Sequence, residues 1–167
     1  MFVDRPGRPV MLDTSALMEG ELFTEFDWHT LDESLKDVSV RLILPSLVVE
    51  ELDELKRHRE TKQKTWARKV LRTLWGLHAP APTLPARLPT QADVTVAVRL
   101  DDGWHQRMSN NDGEIIDQAV FVRELTEEGT IFVSADYTQL YRAAAVGLPV
   151  ALMPHRGPDE EPSSKKK

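Results

Sequence analysis

Short apolar runs alternate along the chain with longer segments whose apolar residues recur every three or four positions. Five of the runs have the length of buried strands, at residues 10–12, 41–44, 94–98, 130–134 and 150–153. The spaced segments predict helices near residues 14–20, 28–36, 47–55 and 61–78, from residue 110 onward, and after residue 136. This alternation predicts an α/β fold, a three-layer α/β/α sandwich with a mostly parallel central sheet of four to five strands.

Two of the helices have an apolar side that we expect to face the core. Along the helix near 61–78 the residues of this side are Ala67, Val70, Leu71, Leu74 and Trp75. Along the last helix they are Tyr137, Leu140, Tyr141, Ala144 and Ala145. The last helix should end at Gly147, a residue suited to a left-handed cap. The four prolines within residues 79–89 predict a connecting loop.

The length of 167 residues suits one domain, which we expect to span residues 1–153. Residues 154–167 are charged and have nothing to bury, which predicts a disordered tail. The chain has no cysteine, which excludes disulfides, thiolate catalysis and zinc-thiolate sites and favours an intracellular location. The first ten residues lack the apolar stretch of a signal peptide, and no run approaches the ~20 apolar residues of a membrane helix, so we expect a soluble cytoplasmic protein.

The net charge of −6 is unevenly distributed, which makes it compatible with a nucleic-acid partner. Residues 56–72 carry a charge of +7 and the rest of the chain carries −13. A basic segment beside an acidic site suits an enzyme that acts on phosphodiesters, because the basic side chains attract the phosphate backbone. A solvated helix face explains the pattern equally well. The basic residues are Lys56, Arg57, Arg59, Lys62, Lys64, Arg68, Lys69 and Arg72.

Four acidic residues lie where the pattern places them at a buried edge of the fold. Asp13 and Asp136 each follow an apolar strand segment, which predicts that both lie at the carboxyl ends of strands, where ligands bind in parallel α/β folds. Glu51 falls in the middle of the apolar stripe of its helix, whereas its neighbour Glu50 falls off that stripe. A carboxylate on a buried face is costly unless it is paired, hydrogen-bonded or bound to a metal. The fourth residue is Asp112, near the start of the helix that follows residue 110.

Each aspartate also has a purely structural interpretation. Asp13 and Asp136 could each cap the helix that follows, the latter with Gln139 completing a capping box. Asn111 and Glu114 have the spacing of another such box. Four negative charges at one edge would nevertheless repel one another, and a cation would make the arrangement tolerable.

The donor set selects a hard cation. Carboxylates completed by water suit Mg²⁺ or Mn²⁺, whereas the five histidines have no zinc spacing and are each expected at the surface. Ser15 has no nucleophile-elbow glycines around it, and the sequence has no glycine-rich phosphate loop. The residues therefore favour a metal-dependent site over a serine hydrolase or a nucleotide-binding loop.

Four segments of the chain resemble, in order, the motifs of the PIN domain nucleases. They are residues 11–17 around Asp13, residues 44–56 around Glu51, residues 110–116 around Asp112 and residues 132–140 around Asp136. With Gly147 at the matching place, the resemblance extends from residue 10 to residue 153. The acidic helix and the basic helix after it are most similar to PIN domains that are fused to PhoH-like ATPases or occur in eukaryotic RNA surveillance nucleases.

The resemblance implies a PIN-like fold and a hydrolytic site with one or two Mg²⁺ or Mn²⁺ ions. The catalytic metal ligands would be Asp13, Glu51, Asp112 and Asp136. The hydroxyl partners in the site would be Thr14, Ser15 and Ser134. Asp117, roughly 140° further round its helix than Asp112, would be a supporting acid or merely solvated. Such a site would activate a water to attack a phosphodiester bond of single-stranded RNA and, as in this family, would leave a 5′-phosphate, so that the chain would be an endoribonuclease.

Two other functions stay open at this point. One is a PIN-fold RNA-binding module with weak catalysis, although the presence of all four acids argues against it. The other is a toxin-type ribonuclease that a partner protein holds in check. RNA is the expected substrate in the leading interpretation, and a homodimer or a regulatory protein could be a further partner.

Overall fold

Residues 7–57, 61–126 and 129–157 are described by the computed structural model of the protein. Two 3₁₀ turns, Trp28–Thr30 and Glu33–Leu35, precede the second strand. The strands are β1 (Arg8–Leu12), β2 (Val40–Pro45), β3 (Ala86–Arg87), β4 (Val94–Arg99), β5 (Ile131–Ser134) and β6 (Val150–Leu152). The helices are α1 (Thr14–Glu19), α2 (Ser46–Leu55), α3 (Thr61–His78), α4 (Asn111–Glu124) and α5 (Tyr137–Ala145).

The strands form a sheet in the order β3-β4-β2-β1-β5-β6. All neighbouring pairs are parallel except β3 with β4. Every residue of β2 and of β5 is buried, which requires cover on both faces of the sheet. The predicted α/β sandwich is confirmed, and its sheet has six strands among the described residues where four to five were expected.

The additional strand lies in the proline-rich stretch that was predicted to be a loop. Ala86 and Arg87 pair antiparallel with β4 at the edge of the sheet. Proline cannot donate to a ladder, but these two residues lie between Pro85 and Pro89 and keep their own N–H groups. A pairing of two residues is too short to leave a periodic signal in the sequence.

Residues 28–36 form two 3₁₀ turns, so the prediction of a helix there was wrong. The side chain of Asp27 accepts a hydrogen bond from His29 N, and that of Asp32 accepts one from Ser34 N. Each carboxylate starts a new turn because it binds a backbone N–H group that a continuous helix would use.

The inner face of α3 differs from the predicted one at its two tryptophans. Trp66, Ala67, Val70 and Leu74 are buried, but Trp75 is 63% exposed. Trp75 lies roughly 140° around the helix from Val70, whereas Leu74 lies roughly 40° from it, so only Leu74 reaches the core. The expectation that Trp75 packs in the core was wrong, and Trp66 has that role instead.

The buried side of α5 is not the one that its apolar residues predicted. Gln139 and Ala143 are buried, and Leu140 is partly buried. The predicted residues that are exposed instead are Tyr137, Tyr141, Ala144 and Ala145. Residues 139 and 143 have the same four-residue spacing as residues 137 and 141, and periodicity alone does not determine which pair faces the sheet.

One histidine is buried, contrary to the expectation that each would lie at the surface. His78, at the end of α3, is buried with Nδ1 3.0 Å from Leu74 O and Nε2 3.0 Å from Val96 O. The ring therefore joins α3 to β4. Backbone carbonyls occupy both ring nitrogens, which leaves neither for a metal ion.

The buried apolar residues form one cluster to which β1, β2, β4, β5 and all five helices contribute. Gly147, with φ of 82°, follows α5 and ends it as predicted. Residues 154–157 have no helix or strand, and the predicted tail from residue 158 onward lies outside the described residues. None of the described helices is both long and apolar enough to cross a membrane.

Candidate active site

The carboxyl ends of β1 and β5 lie side by side near the middle of the sheet. From β1 the chain continues to β2 and β4 on one side and later reaches β5 and β6 on the other. A crevice forms at such a switch point, outside the carboxyl ends of the strands. Asp13 follows β1 directly, and Asp136 lies two residues after β5. Because β1 and β5 are parallel neighbours, both aspartates lie at the same edge of the sheet, as predicted.

Asp13 is a buried carboxylate that receives three hydrogen bonds. It caps α1 by accepting from Ala16 N at 2.9 Å. Its side chain also accepts from Ser15 Oγ at 2.8 Å and from Ser134 Oγ at 2.5 Å. Burial raises the pKa of Asp13, the negative charge of Asp136 adds to this rise, and the three hydrogen bonds oppose it. The net rise means that Asp13 lacks a sufficient positive partner among the protein groups around it.

The two serine hydroxyls join the start of α1 to the end of β5. Ser15 Oγ lies 3.0 Å from Ser134 Oγ and accepts from Ala135 N at 3.0 Å. Ser134 Oγ also accepts from Asp136 N at 2.9 Å. Ser15 and Ser134, predicted as hydroxyl partners, therefore hold Asp13 and the backbone before Asp136 in one network.

Glu51 reaches the same edge from the middle of α2. It is half-buried, as its place on the apolar stripe predicted, and its carboxylate accepts a hydrogen bond from the Thr14 hydroxyl. Asn111 Nδ2 donates to the other oxygen of Glu51 at 3.2 Å. Glu50 instead forms an ion pair with Arg107 at 2.7 Å. Of the two adjacent glutamates, Glu51 is therefore the one that contacts site residues.

Asn111 was interpreted as a helix cap and has another role. The cap of α4 is Asn110, whose side chain accepts from Asp112 N at 2.9 Å. Asn111 is thereby free to bind Glu51. Glu114 does not close a capping box either, because it is fully buried and accepts from Met108 N at 2.8 Å. Because Asn110 and Asn111 are adjacent, the sequence alone does not show which of them caps the helix.

Asp136 is exposed at the rim of the site, and Asp112 is exposed next to Asn111, the residue that binds Glu51. Asp136 caps α5 by accepting from Thr138 N at 2.8 Å, while Gln139 is buried with its Oε1 lacking a hydrogen-bond partner among the described residues. Arg142 Nη1 lies 3.6 Å from a carboxylate oxygen of Asp112. Sequence reasoning missed Arg142, since only the packing of α5 beside α4 brings it there.

Asp117 does not join the other predicted site residues. It is exposed on α4, and no contact with the site connects it to them in the described part of the chain. Thr14, Ser15 and Ser134 all lie within the network around Asp13 and Glu51.

The donor chemistry of the site suits Mg²⁺ or Mn²⁺, because the side chains gathered there present carboxylate and hydroxyl oxygens. Within residues 7–57, 61–126 and 129–157 no three acidic or histidine side chains lie close enough to hold an ion by themselves. Mg²⁺ usually keeps several waters and takes only one or two carboxylates, which Asp13 and Asp136 can provide. A cation beside Asp13 would also offset the cost that burial imposes on its charge.

The predicted basic residues lie mainly on the exposed sides of α3. Lys62, Arg68, Lys69 and Arg72 are exposed, and Lys64 is half-buried. They flank the buried face on both sides and do not form a single stripe. Before α3, Lys56 and Arg57 both pair with Asp53, which reduces their contribution to a basic surface. Arg59 lies outside the described residues.

Comparison with known proteins places the chain in a family. A solved structure, a domain of a functionally unknown protein from Methanocaldococcus jannaschii, superposes with a TM-score of 0.55 at 16% identity. The match covers 90% of this chain and 94% of that one, and at this identity it demonstrates the shared fold alone. No curated protein is significantly similar to the chain. The family model described as PIN domain matches residues 10–153, and the chain therefore belongs to the PIN domain family.

Proposed function

We propose that this protein is a Mg²⁺- or Mn²⁺-dependent ribonuclease that hydrolyses phosphodiester bonds of single-stranded RNA. PIN domain proteins are generally metal-dependent nucleases. The observation that carries the proposal is the buried Asp13 beside Asp136 at the switch point, with Glu51 joined to it through Thr14. In this proposal the substrate is RNA, the strand is single and the cleaved bonds are internal.

Each residue of the site has a defined task in this reaction. When bound, the metal ion supplies Lewis-acid activation of water and stabilises the departing oxygen. Asp13 and Asp136 would hold the ion. Glu51 and Asp112 would add negative charge around the same site. Ser15 and Ser134 fix the orientation of Asp13 through hydrogen bonds of 2.8 and 2.5 Å.

The proposal predicts that Asp13→Asn abolishes cleavage without unfolding the protein. Asparagine caps a helix as well as aspartate does, so α1 should form as before. With an unstructured fluorescent RNA and Mn²⁺, we expect the rate to fall on the order of a hundredfold or more, as for EDTA added to the parent. The matched control is Asp37→Asn, an exposed residue before β2 at the other end of the strands, which should cut like the parent.

Thermal unfolding gives a second readout that does not depend on catalysis. A ligand present at about a hundred times its Kd stabilises the folded state by about 2.7 kcal/mol. Mn²⁺ should therefore raise the Tm of the parent and of Asp37→Asn but not that of Asp13→Asn. Equal cleavage by Asp13→Asn and the parent would show that the assigned site is wrong.

A PIN-fold RNA-binding module with weak catalysis is the second candidate. The ion pair between Arg142 and Asp112 favours it, because a cation already lies beside one of the four acids. This function predicts salt-dependent RNA binding with no saturable response to Mn²⁺. A toxin-type ribonuclease would instead cleave RNA, and its partner protein would suppress that cleavage.

A further inference from the structure

We infer that the cleft beside Asp136 binds an unpaired nucleobase of the strand whose phosphate lies at the acidic residues, with Tyr137 as its stacking surface. The inference rests on the proposed function and adds a reason for single-strand selectivity. Its stacking residue, Tyr137, has no task in the reaction itself.

The cleft has a volume of about 400 Å³ and begins at the acidic site. Ser15 and Asp136 form its wall on the side of the site. A ligand in the cleft therefore lies directly beside the carboxylates that would hold the metal. Its other lining residues include Tyr137, Leu152, Pro154 and His155.

Tyr137 presents an exposed aromatic ring at the cleft. Its side chain is 65% exposed and Tyr141, one turn later on the same side of α5, is 78% exposed. Leu152 of β6 is also exposed at 43% and extends the apolar surface of the cleft. Aromatic rings that line a path for single strands bind successive bases by stacking, and every base has a face suited to this.

The charges around the cleft favour a neutral ring over a phosphate group. Its one basic lining residue in the described part of the chain is His155, and His155 Nε2 lies 3.0 Å from a carboxylate oxygen of Glu19. Asp136 contributes a further negative charge. These carboxylates would repel a phosphate. The face of a neutral base could instead pack against the apolar side chains, and its edge could form hydrogen bonds with the polar ones.

Duplex RNA cannot use this cleft, because a base that is paired and stacked does not present a free face. A strand has to be unpaired at the nucleotide next to the cleaved bond. The cleft would therefore select single strands through a binding step that precedes the chemistry.

The experiment measures RNA binding in EDTA, and every protein carries Asp13→Asn so that the strand stays intact. Asp13→Asn without a further substitution is the parent protein for these comparisons. Tyr137→Ala should bind a fluorescein-labelled unstructured RNA roughly tenfold more weakly, the effect of losing one stacked base. Tyr137→Phe and Tyr137→Trp keep a ring and should bind like the parent. Val38→Ala, an exposed apolar residue before β2, is the matched control and should have no effect.

Abasic substitution identifies the contact. RNAs with one abasic nucleotide at successive positions should lose affinity for the parent at one or two positions, and Tyr137→Ala should not distinguish these RNAs from the intact strand. The inference is overturned if Tyr137→Ala binds intact RNA like the parent, or if it loses the same factor for intact and abasic strands. The result does not depend on cleavage, so a failure of the nuclease proposal and a failure of this inference are distinguishable.

Discussion

The carboxylates of the candidate site differ in how much they depend on a cation. Asp13 is buried, and its three hydrogen bonds do not prevent a rise of its pKa. Asp112 and Asp136 are exposed and can be screened by water. Asp13 is therefore the residue whose charge gains most from a bound ion, and it is the residue at which substitution is most informative.

Two tryptophans on α3 allow a test of how the helix is oriented. Trp66 is buried, and its indole N–H donates to Leu17 O at 2.8 Å, while Arg156 lies 4.1 Å from the centre of its ring. Trp75 is exposed. Trp66→Ala should lower the free energy of unfolding by about 3–5 kcal/mol, because it leaves a cavity and an unpaired carbonyl.

Trp75→Ala is the control on the same helix. It should change the free energy of unfolding by about 0.5 kcal/mol or less, as substitutions at exposed positions usually do. Urea unfolding followed by circular dichroism measures both variants. Equal losses for the two variants would mean that α3 is rotated relative to the orientation described above.

At the scale of elements, residues 100–110 form a segment that polar contacts attach to α2 and α4. Arg107 donates to Asp101 at 2.5 Å and contacts both carboxylate oxygens of Glu50 at 2.7 Å. Gln118 of α4 donates to Asp101 at 3.1 Å and to Glu114 at 2.8 Å. The segment leads directly into the start of α4, so these contacts position Asn111 and Asp112.

The buried Glu114 is the inner anchor of this segment. Burial raises its pKa, but hydrogen bonds from Gln118, Met108 N and His105 outweigh that effect and hold the pKa below its ordinary value. His105 Nε2 lies 2.6 Å from Glu114 Oε1. An ionised carboxylate with this many donors is stable in the core, since its charge is compensated locally.

Asp101 gives the segment a defined dependence on pH. Burial raises its pKa, but the hydrogen bond and charge of Arg107 outweigh this and place the pKa below the ordinary value of 3.8. A lowered pKa contributes stability that is fully present above 3.8 and is lost as the pH falls through the lower value of the folded state. Asp101→Asn should therefore be less stable than the parent by roughly 1–2 kcal/mol at neutral pH.

The difference between the parent and Asp101→Asn should shrink as the pH falls below 3.8, because protonated aspartate also lacks the charge. Urea unfolding from neutral pH to about pH 3 measures it. The control is the same substitution in an Arg107→Met background, where the pH-dependent difference should largely disappear. A difference that grows as the pH falls would contradict the assigned contact.

At the scale of the whole molecule, the basic side chains of α3 contrast with an overall charge of −6. Arg68 and Arg72 are one turn apart and exposed. Lys69 is also exposed on this helix, and its Nζ lies 5.0 Å from the centre of the Trp66 ring. An acidic protein can bind RNA through one such surface, because screening confines electrostatic attraction to about 10 Å.

Reversal of two of these charges should reduce both affinity for RNA and its dependence on salt. Each phosphate contact that is lost makes the negative slope of log K against log salt concentration shallower by about 0.7 for single strands. The double variant Arg68→Glu with Arg72→Glu should therefore reduce the magnitude of the slope by roughly 1.4. Fluorescence anisotropy over a series of KCl concentrations measures it.

Lys36→Glu is the control for charge reversal. Lys36 is exposed before β2, at the end of the strands away from the acidic site, and pairs with Glu33 at 3.8 Å. Its reversal changes the net charge without changing α3, and the slope should stay that of the parent. If the Lys36 reversal and the α3 double reversal reduce the magnitude of the slope alike, net charge and not α3 governs binding.

The sequence by itself determined the order of the five longer strands and the five helices, because a buried strand and an amphipathic helix each leave a local pattern of apolar residues. It also determined that Asp13 and Asp136 lie at one edge, since both follow parallel strands, and that Glu51 lies on the inner side of α2. These are short-range properties that a few neighbouring residues encode.

Only the tertiary structure decided which side of α5 is buried, which of two adjacent asparagines binds Glu51, and that Arg142 lies beside Asp112. It also decided the exposure of Trp75 and the burial of His78. Each of these depends on how a helix is rotated and what packs against it. A repeating pattern specifies that a helix has an apolar side, but contacts between residues far apart in sequence select the side that is used.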